Sequence, residues 1–117
     1  MLSLDMVDEL RALSTGDKEF IQRIYTVFMS TLTQRLNELE RAIVAHDAED
    51  VARLSHGLKS TCFNLGAQKM GEFCQELELF GRQKSLQKAF SVFQQLVSEA
   101  EFVFMEIEAL PELKKIK

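Results

Sequence analysis

Four side chains within nine residues have the types and spacing for chemistry: His56, Lys59, Ser60 and Asn64. An imidazole is a competent nucleophile near neutral pH because its ordinary titration, at about 6.5, leaves most of it unprotonated. An ammonium three residues on, at i+3, shares the same helix face. Phosphoryl transfer asks a protein for in-line positioning and for positive charge beside the transferring oxygens, and little covalent help besides. Lys59 is placed to supply the charge. Ser60 or Asn64 could add a hydrogen bond to a phosphoryl oxygen; the alternative is that both simply face water. On a wheel of 100° per residue, Leu54, Leu58, Thr61 and Leu65 fall on one side, and His56 points away from them with Ala52, Lys59, Ser60 and Phe63 at its flanks. The histidine is therefore expected to face outward. A phenylalanine exposed beside it would mark a docking surface; the alternative for Phe63 is the edge of the core.

The run His56-Gly57-Leu58-Lys59-Ser60-Thr61-Cys62-Phe63-Asn64-Leu65-Gly66-Ala67 resembles the H-x-L-K-G-S-S-x-x-L-G-A signature of histidine-containing phosphotransfer domains. The His, Leu, Lys, Leu, Gly and Ala positions agree. The likeness continues more loosely into Phe73-Cys74-Gln75-Glu76-Leu77-Glu78. Ser60 stands where the family usually has Gly, Thr61 where it has Ser, and Cys62 where it often has Ser. The resemblance implies a phosphorelay intermediate that takes a phosphoryl group on His56 from the aspartate of a response-regulator receiver domain and returns it to another receiver. It also implies that the magnesium and the aspartate belong to the receiver, so no cofactor or metal is expected of this chain. Around His56 as phosphoacceptor and Lys59 as the stabilising charge, the expected binding surface comprises Ala52, Ser60, Phe63, Asn64, Gly66 and Arg82. For Arg82 two roles stand side by side: approach to the phosphoryl site, as basic residues do in some members, or a cap on the carbonyls that end its helix.

The elements that must hold these residues follow from periodicity. Ser3 can cap a short helix marked by Leu4, Val7, Leu10 and Leu13, ending before Ser14-Thr15-Gly16. From Asp17 the positions Phe20, Ile21, Ile24, Val27, Phe28, Leu32, Leu36, Leu39 and Ile43 keep a helical period for nearly thirty residues, backed by a solvated face of Lys18, Gln22, Arg23, Gln34, Arg35, Glu38 and Arg41. His46 falls at the end of this helix as a favourable terminal charge. Asp47 caps the helix that carries His56, which stops near Gly66. A fourth helix, from Gln68 to Phe80, buries Met70, Phe73, Leu77 and Phe80 and ends at Gly81. A fifth starts around Ser85, carries Leu86, Ala89, Phe90, Phe93, Leu96, Val97, Ala100, Val103, Phe104 and Ile107, and is stopped by Pro111. Four amphipathic helices on short turns bury their stripes on one another, so the expected fold is all-α: an antiparallel four-helix bundle with a short N-terminal helix over one end, spanning residues 1–117 as one domain.

Composition bounds the partners. The chain has 117 residues, 46% hydrophobic and 27% charged, with a net charge of −4. Nucleic acid and anionic membranes both call for a basic footprint, which an acidic chain does not offer; the one basic run, Lys114 to Lys117, is expected to fray. The cysteines Cys62 and Cys74 have no metal-type spacing and read as reduced thiols. With no leader pattern and no long apolar run, the chain is expected to be cytoplasmic and monomeric, without membrane insertion. No phosphate-binding loop or hydrolase motif is present, so no autonomous catalysis is expected. The expected partners are receiver domains, free or within a hybrid sensor kinase. The competing reading is a bundle that binds a receiver or a partner helix without being phosphorylated.

Overall fold

The computed structural model describes residues 1–15 and 17–114. Within them lie five helices and no strand: α1 (Leu4–Leu13), α2 (Lys18–Val44), α3 (Ala48–Asn64), α4 (Gln68–Arg82) and α5 (Ala89–Glu108). Local chemistry sets the starts. The Ser3 side chain accepts from the Met6 N–H, Asp17 from the Glu19 and Phe20 N–H groups, and Asp47 from the Asp50 N–H, each supplying an acceptor that the first turn lacks. Helices α2 to α5 form the bundle around a core that includes Ile21, Tyr25, Leu32, Leu39, Leu58, Met70, Leu77, Leu96 and Ile107. Each such side chain contributes roughly 1.5–3 kcal/mol by leaving water.

Helix α1 covers the end where α3 turns into α4. The Ser3 N–H donates to the Gly66 carbonyl at 2.7 Å, and the Tyr25 hydroxyl donates to the neighbouring Leu65 carbonyl at 2.9 Å. Arg11 donates to both carboxylate oxygens of Glu112, at 2.6 and 2.9 Å, and the Gln22 amide donates to the Glu112 carbonyl. This end of the molecule is closed by directed polar bonds as well as by apolar contact.

Several expectations are corrected. Helix α4 continues through Gly81 to Arg82, and α5 begins at Ala89, because Gln83 to Lys88 form the connecting turn in which Lys84 takes φ 53°. On α3 the fully buried residues are Val51, Ser55, Leu58 and Cys62, whereas Leu54, Thr61 and Leu65 are half-buried. The stripe is rotated because α4 lies close on the Ser55 and Cys62 side. On α4 itself Met70 and Leu77 are buried as expected, but Phe73 and Phe80 are only half-buried, and Gly71, Cys74 and Glu78 occupy the inner face. Leu4, Leu13, Val27 and Phe90 are exposed members of otherwise apolar stripes. Gly16 and Lys115 to Lys117, which belong to the expected first turn and the basic tail, lie outside the described residues.

Candidate functional site

The site is built where α3 and α4 approach most closely. A Cβ on Gly81 would stand 2.6 Å from the Ala52 nitrogen and 2.7 Å from the Ala48 carbonyl oxygen, so only a residue without a side chain allows the two backbones to meet there. One turn back along α4, Glu78 faces α3, with its side chain only 7% exposed. A carboxylate so placed must be paired or neutralised, and three donors converge on it. His56 Nδ1 lies 2.9 Å from Oε2, Lys59 Nζ lies 2.7 Å from Oε1, and Arg82 donates to Oε2 at 2.6 Å through one terminal nitrogen and at 3.1 Å through Nε.

This arrangement decides the protonation of the histidine. Burial alone would raise the Glu78 carboxyl, but the hydrogen bonds from Lys59, Arg82 and His56 outweigh it and hold the group at about 2. Glu78 is therefore ionised at neutral pH and can only accept. Nδ1 of His56 must then be the donor, which assigns the proton to Nδ1 and the lone pair to Nε2. The ring is 58% exposed, so the bare nitrogen belongs to an accessible side chain, while the protonated one is held from below. Carboxylates orient ligating and catalytic imidazoles elsewhere in the same way.

The remaining expected residues divide. Lys59 is not a free surface ammonium: it is 24% exposed and bound to Glu78. Arg82 reaches the site through Glu78 and, among the described residues, donates to that carboxylate rather than to a carbonyl at the end of its helix. Ser60 is exposed, and its hydroxyl donates to the His56 carbonyl at 3.3 Å; Asn64 is exposed further along the same side. Ala52 is half-buried under Gly81. Phe63 is not an open docking residue, because its half-buried ring fills the space over Gly71, where a Cβ would stand 2.5 Å from it. Gly66 is buried beneath Ser3 and Met6 with φ 89°, a conformation that favours glycine, and it ends the helix rather than lining the surface by His56.

Glu78 is the residue to which sequence reasoning gave no role. Gly71, Cys74, Glu78 and Gly81 recur at spacings of three, four and three on one face of α4. Two glycines on that face signal close approach of a neighbouring helix, and an acid between them must find cations there. Concave pockets form among the described residues at the bundle end bounded by Ile43, His46, Leu86 and Phe90, and between α2 and α3 along Thr31, Arg35, Arg53 and Gly57. His56 does not line either of these pockets, and its side chain is 58% exposed.

A helical bundle presenting an accessible histidine, with its second ring nitrogen fixed by a buried acid and two cations at its base, defines a carrier of a transferable anionic group. Known proteins agree. Residues 23–110 match the Hpt domain family, and the chain belongs to it. It is 28% identical over 91 residues to the phosphorelay intermediate protein rdeA of Dictyostelium discoideum, a stretch that covers 78% of this chain and 36% of that protein, so the chain spans little more than a third of this curated relative. Its fold is similar to the crystal structure of histidine-containing phosphotransfer protein B from Pseudomonas aeruginosa, with a TM-score of 0.84, 25% identity and coverage of 92% of this chain and 90% of the other. These relationships support a phosphotransfer function in two-component signalling.

Proposed function

We propose that the chain is a phosphorelay intermediate in which Nε2 of His56 attacks the phosphorus of a receiver domain's aspartyl phosphate and later surrenders the phosphoryl group to a second receiver. The observation that carries this reading is the bond between His56 Nδ1 and ionised Glu78, which leaves Nε2 as the nucleophile on an exposed ring. As the N–P bond forms, the bond from phosphorus to the aspartate oxygen breaks, and the aspartate leaves as a carboxylate. Lys59 and Arg82 place two positive charges at the base of the site against one from Glu78, a net cationic setting for the incoming oxygens. Ser60, one turn on from the ring, and Asn64, about two turns on, are exposed on the side a receiver would cover, with Ala52 one turn before the ring. The donor receiver is free-standing or part of a hybrid sensor kinase. The reading places the chain in the cytoplasm as a monomer; for the compartment, the buried free thiols of Cys62 and Cys74 fit a reducing environment. Among the described residues no helix is long and apolar enough to cross a membrane.

The test is incubation with a phosphorylated receiver followed by intact mass. The wild type gains one phosphate; His56→Gln gains none and stays folded, losing about 0.5–1.5 kcal/mol with the hydrogen bond to Glu78. A stable complex without phosphate uptake would favour the non-phosphorylated interaction module instead.

A further inference from the structure

We infer that Glu78 sets the lability of the phosphorylated histidine: its carboxylate keeps a proton on Nδ1 of His56 after the phosphoryl group has joined Nε2, so that the ring departs as a neutral imidazole. This inference rests on His56 being the phosphoacceptor and concerns how readily the group leaves again.

The chemistry follows from the proton. When Nε2 attacks, Nδ1 keeps its hydrogen and the phosphorylated ring carries a positive charge. If the group then passes to an aspartate oxygen or to water, the N–P bond breaks, its electron pair returns to Nε2, and the leaving group is neutral imidazole with Nδ1–H intact. A phosphorylated ring that has lost the Nδ1 proton would have to leave as imidazolate, a far poorer leaving group. The free nitrogen of an N-substituted imidazole titrates near neutrality, as imidazole itself does. Without a partner it would therefore switch between the two forms over the physiological range.

Here the partner is an acid in direct contact, 2.9 Å from Nδ1 and 7% exposed, where an attraction between unlike charges is weakly screened. The charged and titratable groups around the ring are few. On α3 itself they are Lys59, bound to Glu78, and Arg53, bound to Asp50 at 3.0 Å. On α4 they are Glu78, Arg82 and the buried thiol of Cys74, which the hydrogen bond with Cys62 and then burial keep protonated. From α2 the Arg35 guanidinium lies 3.5 Å from where a Cβ on Gly57 would stand. Among the described residues, Glu78 is the acid bonded to the ring, and none of the cations is bonded to it. Lys59 and Arg82 oppose the proton by their charge, but neither is bonded to the ring, whereas the carboxylate accepts directly from Nδ1 at 2.9 Å, and the two cations keep that acceptor ionised.

The experiment loads His56 chemically with phosphoramidate, in a His46→Asn background so that no second histidine accepts; asparagine tolerates the φ of 54° found at position 46. Loss of the phosphoryl group is followed by phosphorus NMR from about pH 6 to about pH 9, the range in which an unassisted ring nitrogen changes state. With Glu78 present the rate should stay nearly level. In Glu78→Gln, which keeps the shape but not the charge, it should fall by about tenfold per pH unit above neutrality as the protonated fraction falls. Parallel profiles for the two proteins would overturn the inference. If Glu78→Gln does not fold, the Nδ1 nitrogen shift of the phosphorylated parent decides: protonated across the range supports the inference, and deprotonation near neutrality overturns it. Because phosphoramidate replaces the receiver, a receiver's failure to load His56 would sink the relay reading while leaving this result interpretable.

Discussion

Two largely buried carboxylates, Glu78 and Glu112, hold this bundle together at different places, and they do different work. Glu112 accepts both hydrogen bonds of the Arg11 fork and ties α1 to the segment after α5. Its carboxyl is held below the usual range chiefly by Arg11. Arg11 is shared there between Glu112 and Asp8, the latter at 3.0 Å, so two acids meet one cation and no positive surplus is left. Glu78 meets two permanent cations and an imidazole, leaving a positive surplus and an exposed ring. The same device closes a structure in one place and poises a nucleophile in the other. Stoichiometry of charge, together with the presence of a titratable ring, separates a clasp from a site.

Both sit on an apolar core that outweighs them. Leu58, 2% exposed and two residues from His56, should lose about 2–5 kcal/mol on truncation to Ala, read from urea melts. A change of less than about 0.5 kcal/mol would mean that α3 is rotated away from the orientation that directs His56 outward.

Next in size come the acids themselves. Glu78→Ala leaves two cations facing each other and should cost about 1–3 kcal/mol, while Glu112→Ala leaves Arg11 its exposed pair with Asp8 and should cost about 1 kcal/mol or less. Equal costs would erase the distinction between clasp and site. The sign with pH follows: the folded-state carboxyl of Glu78 lies at about 2, below its value in the unfolded chain. Its contribution is present above the unfolded pKa and is lost as pH falls toward about 2. Acid melts of Glu78→Gln should be flatter than wild type across that window. An unchanged slope would contradict the pairing.

Smaller still is the expected effect of Lys59→Ala. Because its ammonium is shared with Glu78 rather than free, single-turnover transfer from a phosphorylated receiver should slow by roughly 5- to 30-fold, equivalent to about 1–2 kcal/mol. The loss should shrink as salt rises. Wild-type rates at low salt would remove Lys59 from the transfer step and leave it as a structural partner of Glu78.

The sequence made part of this legible. The period of α2, the Asp47 cap and the outward direction of His56 all follow from local rules, since a helix face or an N-cap depends on residues a few positions apart. The angle of α3 did not. Leu54, Leu58, Thr61 and Leu65 are a plausible apolar stripe, yet the buried set includes Ser55 and Cys62, because what faces inward was decided by glycines on another helix. Phe63 illustrates the same limit: on its own helix it flanks His56, but Gly71, across the interface, opens a slot that takes the ring. Glu78 was hidden for a related reason. A glutamate beside a leucine on a helix reads as solvated face, and only the meeting of α3 with α4 puts Lys59, His56 and Arg82 around it.

The most direct test of the account is the identity of the phosphorylated atom. With the chain labelled with nitrogen-15 and phosphorylated by a receiver domain, phosphorus–nitrogen coupling should place the phosphoryl group on Nε2 of His56, with Nδ1 still bearing its hydrogen toward Glu78. Coupling to Nδ1, or to either nitrogen of His46, would contradict it.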